Sequence, residues 1–190
     1  MVDDRARERK FRRIILAYPL ALIAVAVLAD LLWFGVGPLV PSLPGAGVMA
    51  ALIVAGALLL ANHTWLMTST ELTRLHHKAH ATPEEWSASG RRAADMTEEA
   101  RAELDRRYNA HRNATENTVL FVLLAGVFAL SSPPWIAALV WIIGYGLARL
   151  GYSYAYLSGR DGLRGICMSL SLLPLYGMAG YLLLALARTA

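Results

Sequence analysis

The chain contains 190 residues, of which 56% are hydrophobic and 17% are charged, and its formal net charge is +4. Soluble domains carry about a quarter charged residues and lack apolar blocks as long as a bilayer is thick, so a simple water-soluble globule is excluded. The only cysteine is Cys167. An intrachain disulfide framework and a paired-cysteine metal or redox motif are therefore also excluded.

Five apolar segments follow one another along the chain, at residues 14–40, 48–67, 118–130, 135–157 and 165–187. Lipid offers no partner to an unpaired backbone N–H or C=O group, so all five are predicted as membrane-spanning helices. The third segment ends at Ser131-Ser-Pro-Pro134, where proline cannot continue a helix. The expected fold class is an all-α integral membrane helical bundle.

A polar stretch from residue 68 to 117 carries two signals for the start of a helix. Thr82-Pro-Glu-Glu85 is a capping box with proline at the first helical position, which predicts a short helix. A second helix is predicted to begin at Glu98, and no breaker follows until Leu130. With a rise of about 1.5 Å per residue this helix is roughly 50 Å long, so it begins outside the membrane and enters it.

The positions of the basic residues predict how the chain is oriented. Six of the 18 Lys and Arg residues precede residue 14, eight lie between Arg74 and Arg112, and Arg160 and Arg164 flank the last helix. With a cytoplasmic N-terminus all three clusters lie on the cytoplasmic side, as the positive-inside rule requires. The charge therefore indicates membrane topology rather than nucleic-acid binding. The high Ala, Leu and Arg content suggests a bacterial plasma membrane.

The third apolar segment is shorter than the roughly 20 apolar residues that a helix needs to cross a bilayer. To span, this helix must draw its preceding polar turns to membrane depth. Those turns contain Asn109, Arg112, Asn113 and Glu116, whose spacing places them on adjoining stripes of the helix.

Arg149 interrupts the fourth helix in the same way, and helical spacing places it on one face with Tyr145, Tyr152 and Tyr156. Ionisable groups at this depth are costly and usually face the protein interior or a wet cavity. Two interpretations stay open. One is a structural Glu116–Arg149 ion pair with the tyrosines as an interfacial belt. The other is a polar cavity, open to the cytoplasm, that binds an anionic ligand.

Several motifs stand in the order and spacing of a known family. They are, in chain order, Thr73-Arg-Leu75 with Thr82-Pro-Glu-Glu85, Arg112-Asn-Ala-Thr-Glu116-Asn117, Pro133-Pro134, Arg149-x-x-Tyr152-x-x-x-Tyr156 and Arg164. Together they resemble the MAPEG superfamily, the membrane-associated proteins in eicosanoid and glutathione metabolism. The Tyr152/Tyr156 pair is most similar to the leukotriene C4 synthase and microsomal glutathione transferase branch.

The resemblance implies a four-helix membrane core, assembled as a homotrimer, with glutathione bound between subunits near the cytosolic face. In this chain the core corresponds to residues 46–190, with a cytoplasmic loop at 68–115. Residues 1–45 form a basic tail and an extra transmembrane helix without a counterpart in that core.

The resemblance also implies a site. Arg164 matches the arginine that stabilises the glutathione thiolate, which is chemically sensible because a nearby guanidinium lowers a thiol pKa and supplies the nucleophile. The remaining positions contact glutathione or support its site, and they are Arg74, Arg112, Asn113, Glu116, Tyr152 and Tyr156.

The implied function is a membrane-bound transferase or peroxidase that uses glutathione, or a similar thiol, as co-substrate against small hydrophobic electrophiles. The alternative is a non-catalytic membrane module of the same fold that binds a lipid or a partner protein. The expected partners are further copies of the chain, membrane lipids and the hydrophobic substrate, with no nucleic acid.

Three features permit more than one interpretation. Glu85 matches a proposed catalytic aspartate of the prostaglandin synthase branch, but it also completes a helix cap. Asp30, inside the first apolar segment, either pairs with a neighbouring helix or lies at the outer interface. The cluster His76, His77 and His80 has metal-ligand spacing, yet a solvated loop is the favoured interpretation and no metal is expected.

Overall fold

A computed structural model describes the backbone of residues 2–189 and the side chains of residues 7–189. Within that range the chain is helical and contains no strand. The helices are α1 (Val2–Ala29), α2 (Ala46–His77), α3 (Pro83–Ala88), α4 (Glu98–Leu130), α5 (Trp135–Ala138), α6 (Gly144–Leu157) and α7 (Asp161–Ala187). Five helical rods are long and apolar enough to cross a membrane. The predicted all-α membrane bundle is confirmed.

The first rod starts earlier and ends earlier than its apolar segment predicted. α1 continues directly into a π-helical turn at Asp30–Phe34. The rod stops there because Gly35 adopts a φ of +71°, a left-handed conformation that glycine reaches without steric cost. Residues 35–45 then form an irregular link to α2.

The loop between α2 and α4 has the two helix starts that the sequence predicted. The Thr82 hydroxyl accepts a hydrogen bond from the backbone N–H of Glu85, 3.3 Å away, at the start of α3. α4 begins one residue after Thr97, whose hydroxyl accepts from the N–H of Ala100 at 3.2 Å. These side chains satisfy backbone donors that the first turn of a helix leaves unpaired. α4 then runs without interruption for 33 residues, as predicted.

The fourth rod consists of α5 and α6 joined by a second π-helical turn at Leu139–Ile143. A π turn accommodates an additional residue within a continuous helix. The run Leu-Val-Trp-Ile-Ile contains no glycine or proline that would have indicated the irregularity.

The core lies where α6 packs between α2 and α7, with α4 completing the bundle. Small residues allow these helices to approach closely. A methyl group built on Gly146 would lie 3.0 Å from the side chain of Leu58, and one on Gly177 would lie 2.4 Å from the indole of Trp141. Gly177 is thus required as the floor of the pocket that holds Trp141.

α1 packs against α7, and the two helices run in parallel. The Tyr18 hydroxyl donates to Ser169 Oγ at 2.6 Å near one end, and the N–H of Leu39 donates to the carbonyl of Ala185 at 3.2 Å beyond the other. Between them lies Asp30, which is fully buried. Its Oδ1 accepts a 2.9 Å hydrogen bond from Trp141 Nε1, so Asp30 pairs with a neighbouring helix rather than with the outer interface.

Candidate functional site

Arg149 lies on α6 and is completely buried in the bundle. Its Nη2 donates to Oδ1 of Asn113 on α4 at 2.8 Å, and its guanidinium lies 4.5 Å from the centre of the Tyr152 ring. Nε and Nη1 have no hydrogen-bond partner in the described part of the chain. A buried cation with unpaired donors is costly unless an anion binds to it. The interior of the bundle can therefore accept an anionic group here.

The Glu116–Arg149 ion pair, one of the two open interpretations, is not formed in the structure. Glu116 is exposed on α4, and none of the ion pairs between described residues involves it. Asn113 lies nearly one turn earlier on α4 and takes its place. Because the buried guanidinium meets an amide rather than a carboxylate, no side chain in the described part of the chain compensates its charge.

Two arginines and two tyrosines form a continuous stack from the bundle interior towards the end of α6. The Tyr152 and Tyr156 rings are 5.7 Å apart, and the guanidinium of Arg164 lies 5.1 Å from the Tyr156 ring. Guanidinium groups at these distances from an aromatic ring are attracted to its face. We call Arg149, Tyr152, Tyr156 and Arg164 the arginine–tyrosine stack.

The outer end of the arginine–tyrosine stack opens into a polar cleft of about 280 Å³ between α4 and the start of α7. Arg164 forms an ion pair with Asp161 at 3.3 Å, and 42% of its side chain remains exposed. Arg106 and Asn109 of α4 form the opposite wall. Arg164 is thus held in place while its guanidinium stays accessible to a ligand.

The structure places the other predicted site residues away from the polar cleft. Arg112 is exposed and donates from Nη2 to Oδ1 of Asn109 at 2.7 Å. Arg74 on α2 donates from Nε and Nη2 to the hydroxyl of Tyr108 at 3.1 and 2.9 Å. Neither of these arginines, nor Glu116, lines the polar cleft. One chain therefore brings together Asn113, the two tyrosines and Arg164, but not the whole predicted set.

Comparison with known protein families shows to which family the chain belongs. The model of the MAPEG family matches residues 51–184, which include the arginine–tyrosine stack and Asn113. The chain belongs to the MAPEG family. No curated protein matches the chain. The matched range runs from α2 through almost all of α7 and excludes α1, and membership supports a role in glutathione-related chemistry at a membrane.

A second cavity in this MAPEG protein, of about 500 Å³, lies between α2 and α4 and was not predicted. The rings of His63 and His111 meet edge to face there with centres 5.5 Å apart. Asn62 beside them is 3% exposed, and its Oδ1 has no partner among the described residues. The signal available in the sequence was an Asn-His pair inside the apolar run 48–67.

Two histidines of the loop cluster, His77 and His80, contact neighbouring side chains. His77 Nε2 lies 2.7 Å from Oε2 of Glu103, and the ring of His80 packs edge-on against Trp86. In residues 7–189 no three His, Cys, Asp or Glu side chains converge in a way that could hold a metal ion. The carboxylate of Glu85 accepts a hydrogen bond from the backbone N–H of Ala81 at 2.8 Å, so it stabilises the loop.

Proposed function

We propose that this MAPEG protein is a membrane-bound glutathione transferase. It joins the sulfur of glutathione, or of a similar low-molecular-weight thiol, to a hydrophobic electrophile that enters from the bilayer. The observation that carries the proposal is the arginine–tyrosine stack, which links a buried arginine with unpaired donors to an accessible arginine at the polar cleft.

We assign to Arg164 the role of stabilising the glutathione thiolate. A free thiol has a pKa of about 8.5 and is mostly protonated at neutral pH, whereas a neighbouring guanidinium favours the thiolate. Arg164 suits this role because it is accessible, and its position is set by the Tyr156 ring and by Asp161. Arg149 suits a carboxylate of the peptide, since its Nε and Nη1 are free to donate charge-assisted hydrogen bonds to an anion.

Arg112 and Glu116, which are exposed, and Arg74, which is partly buried against Tyr108, complete the peptide site when a second copy of the chain packs against α2 and α4. Glu116 then binds the amino group of glutathione, and the two arginines bind carboxylate. The outward position of Arg112 and Glu116 supports a site between subunits in a homotrimer.

The thiol is the only co-substrate that the reaction requires. The thiol proton passes to water, the thiolate attacks the electrophilic carbon, and the leaving group departs with the electron pair of its bond as the C–S bond forms. With a lipid hydroperoxide the thiolate attacks the terminal oxygen instead. The O–O bond breaks, the alcohol leaves, and a second thiol converts the sulfenic acid to a disulfide and water.

The test is glutathione binding and conjugation of chlorodinitrobenzene by purified protein in detergent. Arg164→Ala is expected to lower kcat/KM roughly a hundredfold or more, because it removes the charge that stabilises the reacting anion. Arg160→Ala is the matched control, since Arg160 is exposed nearby and packs on Tyr154 outside the cleft. Equal activity of the two variants, or no glutathione binding by the wild type, would overturn the proposal.

The second candidate is a non-catalytic lipid-binding module. The cavity between α2 and α4 favours it, because most of its lining is apolar and includes Leu59, Val119 and Val122. A thermal-shift measurement separates the two functions. Stabilisation by glutathione supports the transferase, whereas stabilisation by a fatty acid without any response to glutathione supports the module.

The proposed location is the bacterial plasma membrane, with the N-terminus in the cytoplasm. The three clusters of basic residues support this orientation, because they lie in the first turns of α1, from the end of α2 into α4, and from the end of α6 into the first turn of α7. With five spanning rods these positions all lie on one side of the bilayer.

A further inference from the structure

The start of α1 is strongly basic, and its described side chains are exposed. Residues 7–13, which we call the basic segment, carry five cationic side chains and one acidic side chain. All of them are exposed, as are the residues that follow up to Ala17. None of the ion pairs between described residues involves the five cations. They are Arg7, Arg9, Lys10, Arg12 and Arg13.

The contact between α1 and α7 fixes the depth of the basic segment. Tyr18 is bonded to Ser169, and the two helices are parallel. Five residues before this contact, about 7.5 Å along each axis, lie Arg13 on α1 and Arg164 on α7. The apolar part of α7 begins immediately after Arg164. Arg13 therefore lies at the boundary between the hydrocarbon and the headgroups, and the rest of the basic segment lies in the headgroup layer.

The side chains next to the basic segment are apolar and equally free of protein contact. Ile15 is 68% exposed and Leu16 is 64% exposed. On one face of the helix, Arg9, Lys10, Arg13 and Ile14 line a shallow depression of about 300 Å³. This surface has cations at headgroup depth and apolar side chains at acyl depth, which is the complement of a phospholipid with an anionic headgroup.

We propose that the basic segment binds the headgroups of anionic phospholipids and thereby holds the extra helix in a negatively charged leaflet. A soluble anion would use the cations but not Ile14, Ile15 and Leu16. An acidic protein partner would have to reach a surface that begins at the membrane boundary. This inference does not depend on the transferase activity, because no residue of the basic segment belongs to the proposed site.

The test uses the full-length protein in vesicles of phosphatidylcholine that contain a trace of spin-labelled phosphatidylglycerol or spin-labelled phosphatidylcholine. Electron paramagnetic resonance measures the fraction of each label that the protein immobilises. The wild type is expected to prefer phosphatidylglycerol at low salt, and the preference is expected to decline in about 0.5 M NaCl, where charges are screened within a few ångströms. The double variant Arg9→Gln/Arg13→Gln is expected to lower the association constant for phosphatidylglycerol at least about fivefold.

The matched control is Arg91→Gln/Arg92→Gln, which removes the same charge from two exposed residues of the loop after α3. It is expected to keep the wild-type preference. Three results would overturn the proposal: no preference in the wild type, the same preference in the Arg9/Arg13 variant, or a preference that salt does not change. Because both leaflets contain the labelled lipid, the outcome does not depend on the orientation of the chain.

Discussion

Arg149 and Asp30 are both fully buried in spanning rods, and each makes one hydrogen bond while retaining polar atoms without a partner in the described chain. Burial of an ionisable group at such a position costs free energy, and such groups usually have a functional role. Arg149 belongs to the arginine–tyrosine stack and has a proposed ligand. Asp30 lies outside the residues that the MAPEG family model matches. We therefore look for its role in the packing of α1 against the rest of the bundle.

We predict that Asp30→Leu destabilises the protein, because it leaves Nε1 of the buried Trp141 without an acceptor. An unsatisfied buried donor costs about 1–3 kcal/mol, which lowers the midpoint of thermal unfolding in detergent. Asp30→Asn keeps an oxygen acceptor and is expected to retain most of the stability. If Asp30 acts through the indole, Asp30→Leu and Trp141→Phe are non-additive in a double-mutant cycle. Full additivity of their effects would refute the role of the hydrogen bond.

The sequence predicted which faces carry polar residues but not which atoms meet. Asn113 and Glu116 are three residues apart on α4 and therefore lie on nearly the same face. A modest rotation of α4 decides which of the two reaches Arg149, and such a rotation depends on the packing of the whole bundle. Spacing therefore identified Arg149 and the tyrosines, whereas the Asn113 contact and the Asp30–Trp141 pair required the structure.

At the level of elements, apolar length was sufficient to predict five rods, although the first rod and α2 have bounds that differ from their apolar segments. The helix start at Glu98 and the absence of a breaker gave both ends of α4. The two π turns could not be predicted, because their residues are ordinary helix and core residues. They face each other in the structure: Asp30 and Phe34 of one contact Trp141 of the other. A contact between two helices that are distant in sequence leaves no local pattern.

The π turn at Leu139–Ile143 gives a prediction about deletions. Removing Val140, which is exposed, lets the turn close into a regular α-helix and leaves the residues that follow in phase. Removing Leu147, also exposed and apolar, rotates Arg149 by about 100° relative to the rest of the rod. We expect the first deletion to keep a folded, monodisperse protein by size-exclusion chromatography and the second to lower its yield and thermal midpoint. A deletion of Leu147 that is as stable as the wild type would contradict this.

At the level of the whole molecule, α2 and α4 expose polar and apolar side chains together. Arg112 and Glu116 are exposed on α4 within two turns of the exposed Val119 and Leu120. Charged groups are not left against lipid at this depth, so this surface requires protein or water beside it. The assembly that we propose is a homotrimer in which α2 and α4 face the neighbouring subunits.

We predict that light scattering or native mass spectrometry gives the protein the mass of three chains. Gly126 on α4 is exposed, with open space around its Cα, and a small residue there allows a second helix to approach. Gly126→Trp is expected to dissociate the trimer. Leu183→Trp, at an exposed position of α7, is the control and is expected to leave the mass unchanged. A monomeric wild type, or a Gly126→Trp protein of unchanged mass, would disprove the arrangement.

The bond between Asp30 and Trp141 joins residues 111 positions apart. A ribosome adds about 5–20 residues per second, so roughly 5 to 20 seconds pass between the synthesis of the two partners. During that time the rod that contains α1 carries a carboxyl group without the Trp141 indole that later binds it. The bond from Tyr18 to Ser169, and the bond from Leu39 in the following link to Ala185, both reach α7, which is made later still. The docking of α1 can therefore be complete only after α7 has been made.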